Sequence, residues 1–200
     1  MRLWILFACI SLSFVCSPSA TSQTWRIGDD QPFPTHITSL PVERQRSILA
    51  HLQPSLTKLV QEYSLHPEEV SQEEKSLLVR EVPTASGPLL MVQSWGMELC
   101  GGVGNCAIWV LGNDCQVLLW GGGNVVTILR AVHHGKPSIL ISAHNSASDS
   151  DLVWYRFDGS RYRPASCAIK SYLKRTFINP NARPEIEHLP CSRVIGEDFR

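Results

Sequence analysis

Residues 154–163 read WYRFDGSRYR, an Asp-Gly pair between two arms rich in aromatic residues. Asp-Gly favours the positive φ angles of a tight hairpin turn, so this stretch predicts a β-hairpin. Short runs of branched and aromatic residues, most of them separated by Gly, Asn or Asp, predict further strands on both sides of it. With the two hairpin arms, the predicted strands are residues 77–82, 89–95, 107–111, 116–120, 125–132, 138–143, 152–157 and 161–163. Their short connections favour an antiparallel meander over βαβ units.

The register of the hairpin has two alternatives. A two-residue turn at Asp158 and Gly159 places Arg156 opposite Arg161, a like-charge pair that destabilises a hairpin. A loop one residue longer places Arg156 opposite Tyr162, which avoids the repulsion and permits a cation–π contact. If the two arginines do pair, we expect an anion between them.

The segments outside the strands predict helices. Apolar residues recur every three or four positions over residues 38–64, and Pro54 in that run predicts either two helices or one kinked helix. After Cys167, apolar and basic residues again alternate with helical spacing, which predicts a short basic-faced helix. The predicted class is α+β: an N-terminal helical segment, an antiparallel β-meander and a short C-terminal helix, with disulfides. The predicted segments are 1–22 (signal peptide), 23–37 (linker or loose arm), 38–76 (helical) and 77–200 (β-rich, with C-terminal helix and tail).

The first 22 residues have the layout of a secretory signal peptide. Arg2 gives a positive start, an apolar run follows, and small residues end it. Small residues at Ala20 and Ser22 favour cleavage after Ser22, with cleavage after Ala20 as the alternative. The apolar run is shorter than the ~20 residues of a membrane helix. We therefore expect a secreted or periplasmic protein with no transmembrane segment in its mature chain.

Removing the signal leaves five of the seven cysteines, an odd number. Two bridges among five cysteines can form in fifteen ways, so the connectivity stays open. The preferred pairing joins Cys100 to Cys106 across a glycine-rich loop and Cys167 to Cys191 across the C-terminal tail. Cys115 is then buried or free.

The charge balance argues against a nucleic-acid partner. The chain has 18 Lys and Arg against 18 Asp and Glu, so the mature form without Arg2 has a net charge of −1. The basic residues nevertheless crowd the stretch after residue 155. This stretch is the candidate ligand-binding surface for an anionic group or a protein, and its residues are Arg156, Arg161, Arg163, Lys170 and Lys174.

Two other patterns bear on chemistry. His134 and His144 offer imidazole ligands for a metal, and Cys115 offers a thiol, which together would suit a metal-dependent or thiol hydrolase. The glycine clusters at 101–104 and 121–123 lack the features of a phosphate-binding loop and are expected to be turns. We predict no cofactor.

The CGGVGNC loop at residues 100–106 and the YRFDG hairpin at 155–159 resemble a family of secreted bacterial proteins that has no established activity. The resemblance covers residues 77–167. It implies export and a β-rich fold, and it implies no catalytic residue. Residues and resemblance together predict an exported binding or inhibitor-like protein of the cell envelope or exterior rather than an enzyme, with the hydrolase as the alternative.

Overall fold

The computed structural model of the protein describes the main chain of residues 23–26 and residues 35–96, 98–100, 104–172 and 183–195. The predicted signal peptide, residues 101–103 of the first glycine cluster, and Lys174 lie outside these ranges. Two parts of the predicted loose arm are strands, one at each end of that stretch.

The helices lie mainly in the N-terminal part. After a 3₁₀ turn at Ile37–Ser39, helix α1 spans Val42–Tyr63, helix α2 spans Pro67–Ser76, and the short helix α3 spans Cys191–Val194. Helix α1 continues through Pro54 as a single helix and ends at Ser64, which has a positive φ of 53°. Among the described residues, no helix is long and apolar enough to cross a membrane.

Eleven strands form two antiparallel sheets in the described part of the chain, which confirms the α+β class. They are β1 (Gln23–Arg26), β2 (Thr35–His36), β3 (Leu78–Val82), β4 (Leu89–Gln93), β5 (Cys106–Leu111), β6 (Val117–Gly123), β7 (Val125–His133), β8 (Lys136–His144), β9 (Asp149–Phe157), β10 (Tyr162–Ser171) and β11 (Glu185–Leu189). Sheet A has the order β1-β7-β8-β9-β10-β11, and sheet B has the order β2-β3-β4-β5-β6. Neighbours are mostly consecutive in sequence, as in a meander.

Strand β5 shows how the layers stack, because both of its faces are buried. Ile108 and Val110 point into the core between the two sheets. Trp109 and Leu111 point the other way, into a second core that helix α1 closes with Leu52 and its apolar neighbours. Side chains alternate along a strand, so one apolar run serves both cores. The order of layers is α1, sheet B, sheet A.

The glycine cluster at 121–123 is strand, and the prediction of a turn there was wrong. These glycines end β6 where it passes close to sheet A, and the chain crosses to β7 after them. A Cβ built on Gly123 would lie 2.5 Å from the Ile141 side chain and 2.7 Å from the Ser142 carbonyl oxygen. Glycine is required because sheet A leaves no room for a side chain.

The C-terminal region differs from the prediction in one respect. Strand β10 continues to Ser171 and pairs with both β9 and β11, so the residues just after Cys167 are not helical. The short helix lies further on, as α3. Both preferred disulfides, Cys100–Cys106 and Cys167–Cys191, are formed, and Cys115 is free and buried, as predicted. The second bridge fastens α3 to β10.

Candidate anion-binding cleft

A cleft of about 260 Å³ opens where the edge of sheet B meets the β9–β10 hairpin. It draws residues from all three layers: helix α1, strand β6 of sheet B, and strands β9 and β10 of sheet A with their connecting loop. The lining residues are Lys58, Val117, Leu118, Leu119, Trp120, Tyr155, Arg161, Tyr162, Arg163 and Pro164. Three of these side chains are cationic and none is acidic.

Lys58 reaches the cleft from helix α1. Leu56 and Leu59 on the same helix are buried against sheet B, which leaves Lys58 exposed beside them. Its ammonium lies 5.5 Å from the ring centroid of Trp120, within the range of a cation–π contact. Trp120 stands directly opposite Trp109 in the β5–β6 ladder. The tryptophan therefore places the lysine charge at the mouth of the cleft.

The hairpin loop is organised by Asp158. Its Oδ1 accepts the backbone N–H groups of Ser160 and Arg161, both at 2.8 Å, and the Ser160 hydroxyl at 2.9 Å. Its Oδ2 accepts Arg163 Nε at 3.2 Å. These hydrogen bonds, the one from the Arg161 backbone first, hold the pKa of Asp158 well below its usual range. These hydrogen bonds fix the loop backbone from which the Arg161 and Arg163 side chains extend.

The observed register differs from both predicted alternatives. Phe157 pairs with Tyr162, and Arg156 therefore pairs with Arg163 across a four-residue loop. Neither Arg161 nor Tyr162 lies opposite Arg156. The like-charge pair is tolerated because the Arg163 guanidinium turns to the Asp158 carboxylate, and both side chains are exposed to solvent.

Two buried tyrosines line the cleft from the side of sheet A. The Tyr162 hydroxyl donates to the Pro137 carbonyl oxygen at 2.9 Å, and its ring lies 5.4 Å from that of Phe157. Burial raises the pKa of Tyr155 to about 12 and raises that of Tyr162 further still. Both phenols stay neutral, so they add no negative charge to oppose an anion.

The structure divides the predicted basic surface. Arg161 and Arg163 are among the residues that line the cleft, whereas Arg156 is not. Lys170 lies toward the other end of β10, with its ammonium 4.9 Å from the Tyr172 ring centroid. Lys174 lies outside the described residues.

Lys58 and Trp120 are not among the site residues predicted from the sequence. Lys58 looks like an ordinary solvent-facing helix residue, and Trp120 like a core aromatic. No local spacing connects a helix near residue 58 with a hairpin near residue 161. Their meeting depends on how α1 lies across sheet B, which the sequence pattern does not encode locally.

The two histidines of the hydrolase alternative do not converge. His134 lies in the turn before strand β8 and His144 at the end of that strand, so the strand holds them roughly 30 Å apart. Within the described ranges, no group of three or more His, Cys, Asp or Glu side chains could hold a metal ion. Cys115 is only 1% exposed and lies in the core under α1.

No protein-family model, curated protein or solved structure matches the chain. The resemblance to a family of secreted proteins therefore stays a prediction. The fold places the chain in the α+β class.

Proposed function

We propose that this chain is an exported, non-catalytic binding protein of the cell envelope or exterior that holds an anionic group of its ligand in the cleft. The observation that carries the proposal is the convergence of Lys58 with Arg161 and Arg163. The lysine comes from the helical layer and the arginines from the hairpin of the other sheet. A run of basic residues along one surface segment would not bring together side chains from different layers of the fold.

The surroundings of these cations also favour an anion. An exposed cation pair costs free energy to bring together, and a bound anion offsets that cost. Arg163 is already held by Asp158, which leaves the Arg161 guanidinium and the Lys58 ammonium as the groups available to a ligand. Charge-assisted hydrogen bonds of this kind are stronger than neutral ones.

The predicted export agrees with this role. The chain has two disulfides, and disulfides persist in oxidising compartments outside the cytoplasm. A small module braced by two bridges is suited to hold a fixed binding surface there.

The test measures binding of inorganic pyrophosphate, a small multivalent anion, by isothermal titration calorimetry. The protein is produced with its own N-terminal segment, recovered from the exported fraction and titrated in low-salt buffer. Arg161→Gln should weaken binding roughly tenfold, the effect of losing one charge-assisted hydrogen bond. Arg156→Gln is the matched control, because the same substitution two strand positions from the loop removes a charge that does not line the cleft.

Lys58→Gln should weaken binding to a similar extent, and raising the salt concentration should weaken binding to the unaltered protein. The proposal fails if pyrophosphate does not bind. It also fails if Arg156→Gln reduces the affinity as much as Arg161→Gln does, because binding would then follow the total charge of the hairpin.

A further inference from the structure

One wall of the cleft is the edge of a sheet. Strand β6 is the last strand of sheet B in the described part of the chain, and four consecutive β6 residues, 117–120, line the cleft. A strand at the end of a sheet presents main-chain N–H and C=O groups on its outer side. The cleft therefore offers a ligand main-chain partners as well as positive charge.

The opposite wall is the start of β10. Strand β11 pairs with β10 only from Cys167 to Ser171, so no described strand pairs with that side of Tyr162 or Arg163. The register of β10 shifts between Pro164 and Ser166, a bulge that separates this part of the strand from the part that β11 covers. The cleft is thus open along the β6 edge instead of being closed by a neighbouring strand.

The shape of this opening fits an extended chain. Four strand residues span roughly 13 Å, and alternate side chains of an added strand point to the same side. On one side an added strand would meet Lys58 of α1, and on the other it would meet the hairpin cations, led by Arg161. Neighbouring residues of a strand point to opposite sides, so carboxylates at neighbouring positions of the ligand match this arrangement of charge.

The edge also carries features that limit what it accepts. The β5–β6 register shifts next to Leu111, so β6 is bulged beside the cleft. Bulges and nearby cations are both devices that discourage indiscriminate pairing at a sheet edge. They leave a short stretch for pairing, and the cations favour a negatively charged segment over a neutral or basic one.

We infer that the ligand is an extended acidic peptide segment of a partner protein, which adds as a strand to the outer edge of β6 with its carboxylates against Lys58 and Arg161. This inference rests on the proposed anion-binding function and deepens it by naming the class of ligand. Main-chain hydrogen bonds to β6 would set the register of the peptide, and the cations would select for acidic side chains.

The experiment uses a fluorescein-labelled eight-residue peptide in which pairs of glutamates alternate with pairs of threonines, so that glutamates point to both sides of the strand. It is titrated with the full mature protein and followed by fluorescence anisotropy. A peptide with lysine in place of glutamate should bind at least tenfold more weakly. Arg161→Gln should weaken binding of the glutamate peptide about tenfold, and Arg156→Gln should change it by less than twofold.

Two N-methylated peptides test the strand pairing itself. One carries N-methyl groups on the odd-numbered residues and the other on the even-numbered residues, so each loses the N–H donors along one edge while keeping its charges. Loss of at least tenfold in affinity for one or both supports strand addition. Undiminished binding of both overturns it, because a ligand held by charge alone does not need these donors.

The pyrophosphate titration separates the two proposals. If pyrophosphate binds in an Arg161-dependent manner but the glutamate peptide does not bind, the inference fails and the anion-binding function stands. If neither probe binds, both fail.

Discussion

A buried carboxylate on helix α2 provides the sharpest test of how this helix is attached to the segment that follows β4. Glu73 is 3% exposed, and its Oε1 accepts the backbone N–H of Glu98 at 3.3 Å. The carboxylate also accepts a hydrogen bond from the backbone N–H of Gly96. A Cβ built on Gly96 would overlap this carboxylate, so the close approach requires glycine. Glu73 therefore ties α2 to the segment that leads from β4 to the first disulfide.

Removing the carboxylate leaves two backbone donors without an acceptor. An unsatisfied buried donor costs about 1–3 kcal/mol, and Gly96 and Glu98 are only partly shielded from solvent, so Glu73→Ala should lower the free energy of unfolding by about 1–3 kcal/mol. Glu73→Gln keeps one carbonyl oxygen but can turn an amide N–H toward the second donor. Its cost should be about 1–2 kcal/mol on the same scale.

The pH dependence has a defined sign. Burial is the main cause that raises the pKa of Glu73 above its ordinary value of 4.5, and the nearby charge of Glu98 adds to it, against the lowering effect of the hydrogen bonds. The folded state therefore binds the Glu73 proton more tightly than the unfolded state does. Its contribution to stability is complete below pH 4.5 and is lost as the pH rises through the folded pKa. Glu73→Gln should consequently show a larger deficit at about pH 4 than at about pH 7.

The assay is urea unfolding followed by tryptophan fluorescence from about pH 4 to about pH 7, with the m-value checked at each pH. Glu74→Gln is the control, since Glu74 is the next residue of α2 and is partly exposed. A Glu73→Ala variant as stable as Glu74→Gln would refute the tie between α2 and the Gly96–Glu98 backbone. A Glu73→Gln deficit that stays constant with pH would refute the raised pKa.

Two further predictions concern the attachment of the remaining layers. Ser55→Ala should lower the free energy of unfolding by about 1–3 kcal/mol, because the fully buried Trp109 Nε1 donates to Ser55 Oγ at 2.7 Å and would lose its acceptor. Urea unfolding checks this against Thr57→Ala, an exposed change on α1, and equal stability of the two variants would contradict it. Cys191→Ser should cost about 3.5 kcal/mol, the chain-entropy value for a bridge between residues 24 apart, here Cys167 and Cys191. Thermal unfolding of this variant would contradict the estimate if its midpoint matched that of the intact protein.

The sheet content and the Cys100–Cys106 disulfide could be predicted because their signals are local, whereas the Cys167–Cys191 pairing was only a preferred choice among open alternatives. An Asp-Gly pair between aromatic arms is a strong local signal for a hairpin, and the glycine-rich loop between Cys100 and Cys106 lets two nearby cysteines meet. The second glycine cluster misled the prediction for a related reason. Glycine marks both turns and close approaches of backbone, and at Gly123 the cause is the contact with Ile141 on the other sheet.

The cleft could be predicted only in part. Arg161 was found because it belongs to the hairpin, whereas Lys58 lies about 100 residues earlier in the chain. Its place beside Trp120 depends on the packing of α1 against sheet B, a long-range contact that no spacing in the sequence reports. His134 and His144 show the opposite case, in which residues close in sequence lie far apart. Only ten positions separate them, but the extended strand β8 lies between them.

The register of the hairpin shows why the choice of cleft residues needed the structure. The two predicted registers place Arg156 opposite Arg161 or opposite Tyr162, because the sequence alone does not say how many residues the loop takes. Asp158 decides the matter by accepting the backbone N–H groups of Ser160 and Arg161, which forces a four-residue loop. That loop carries Arg161 to the cleft and leaves Arg156 on the outer face of β9. One side chain that bonds to its own loop thus helps to determine that Arg161 lines the cleft and Arg156 does not.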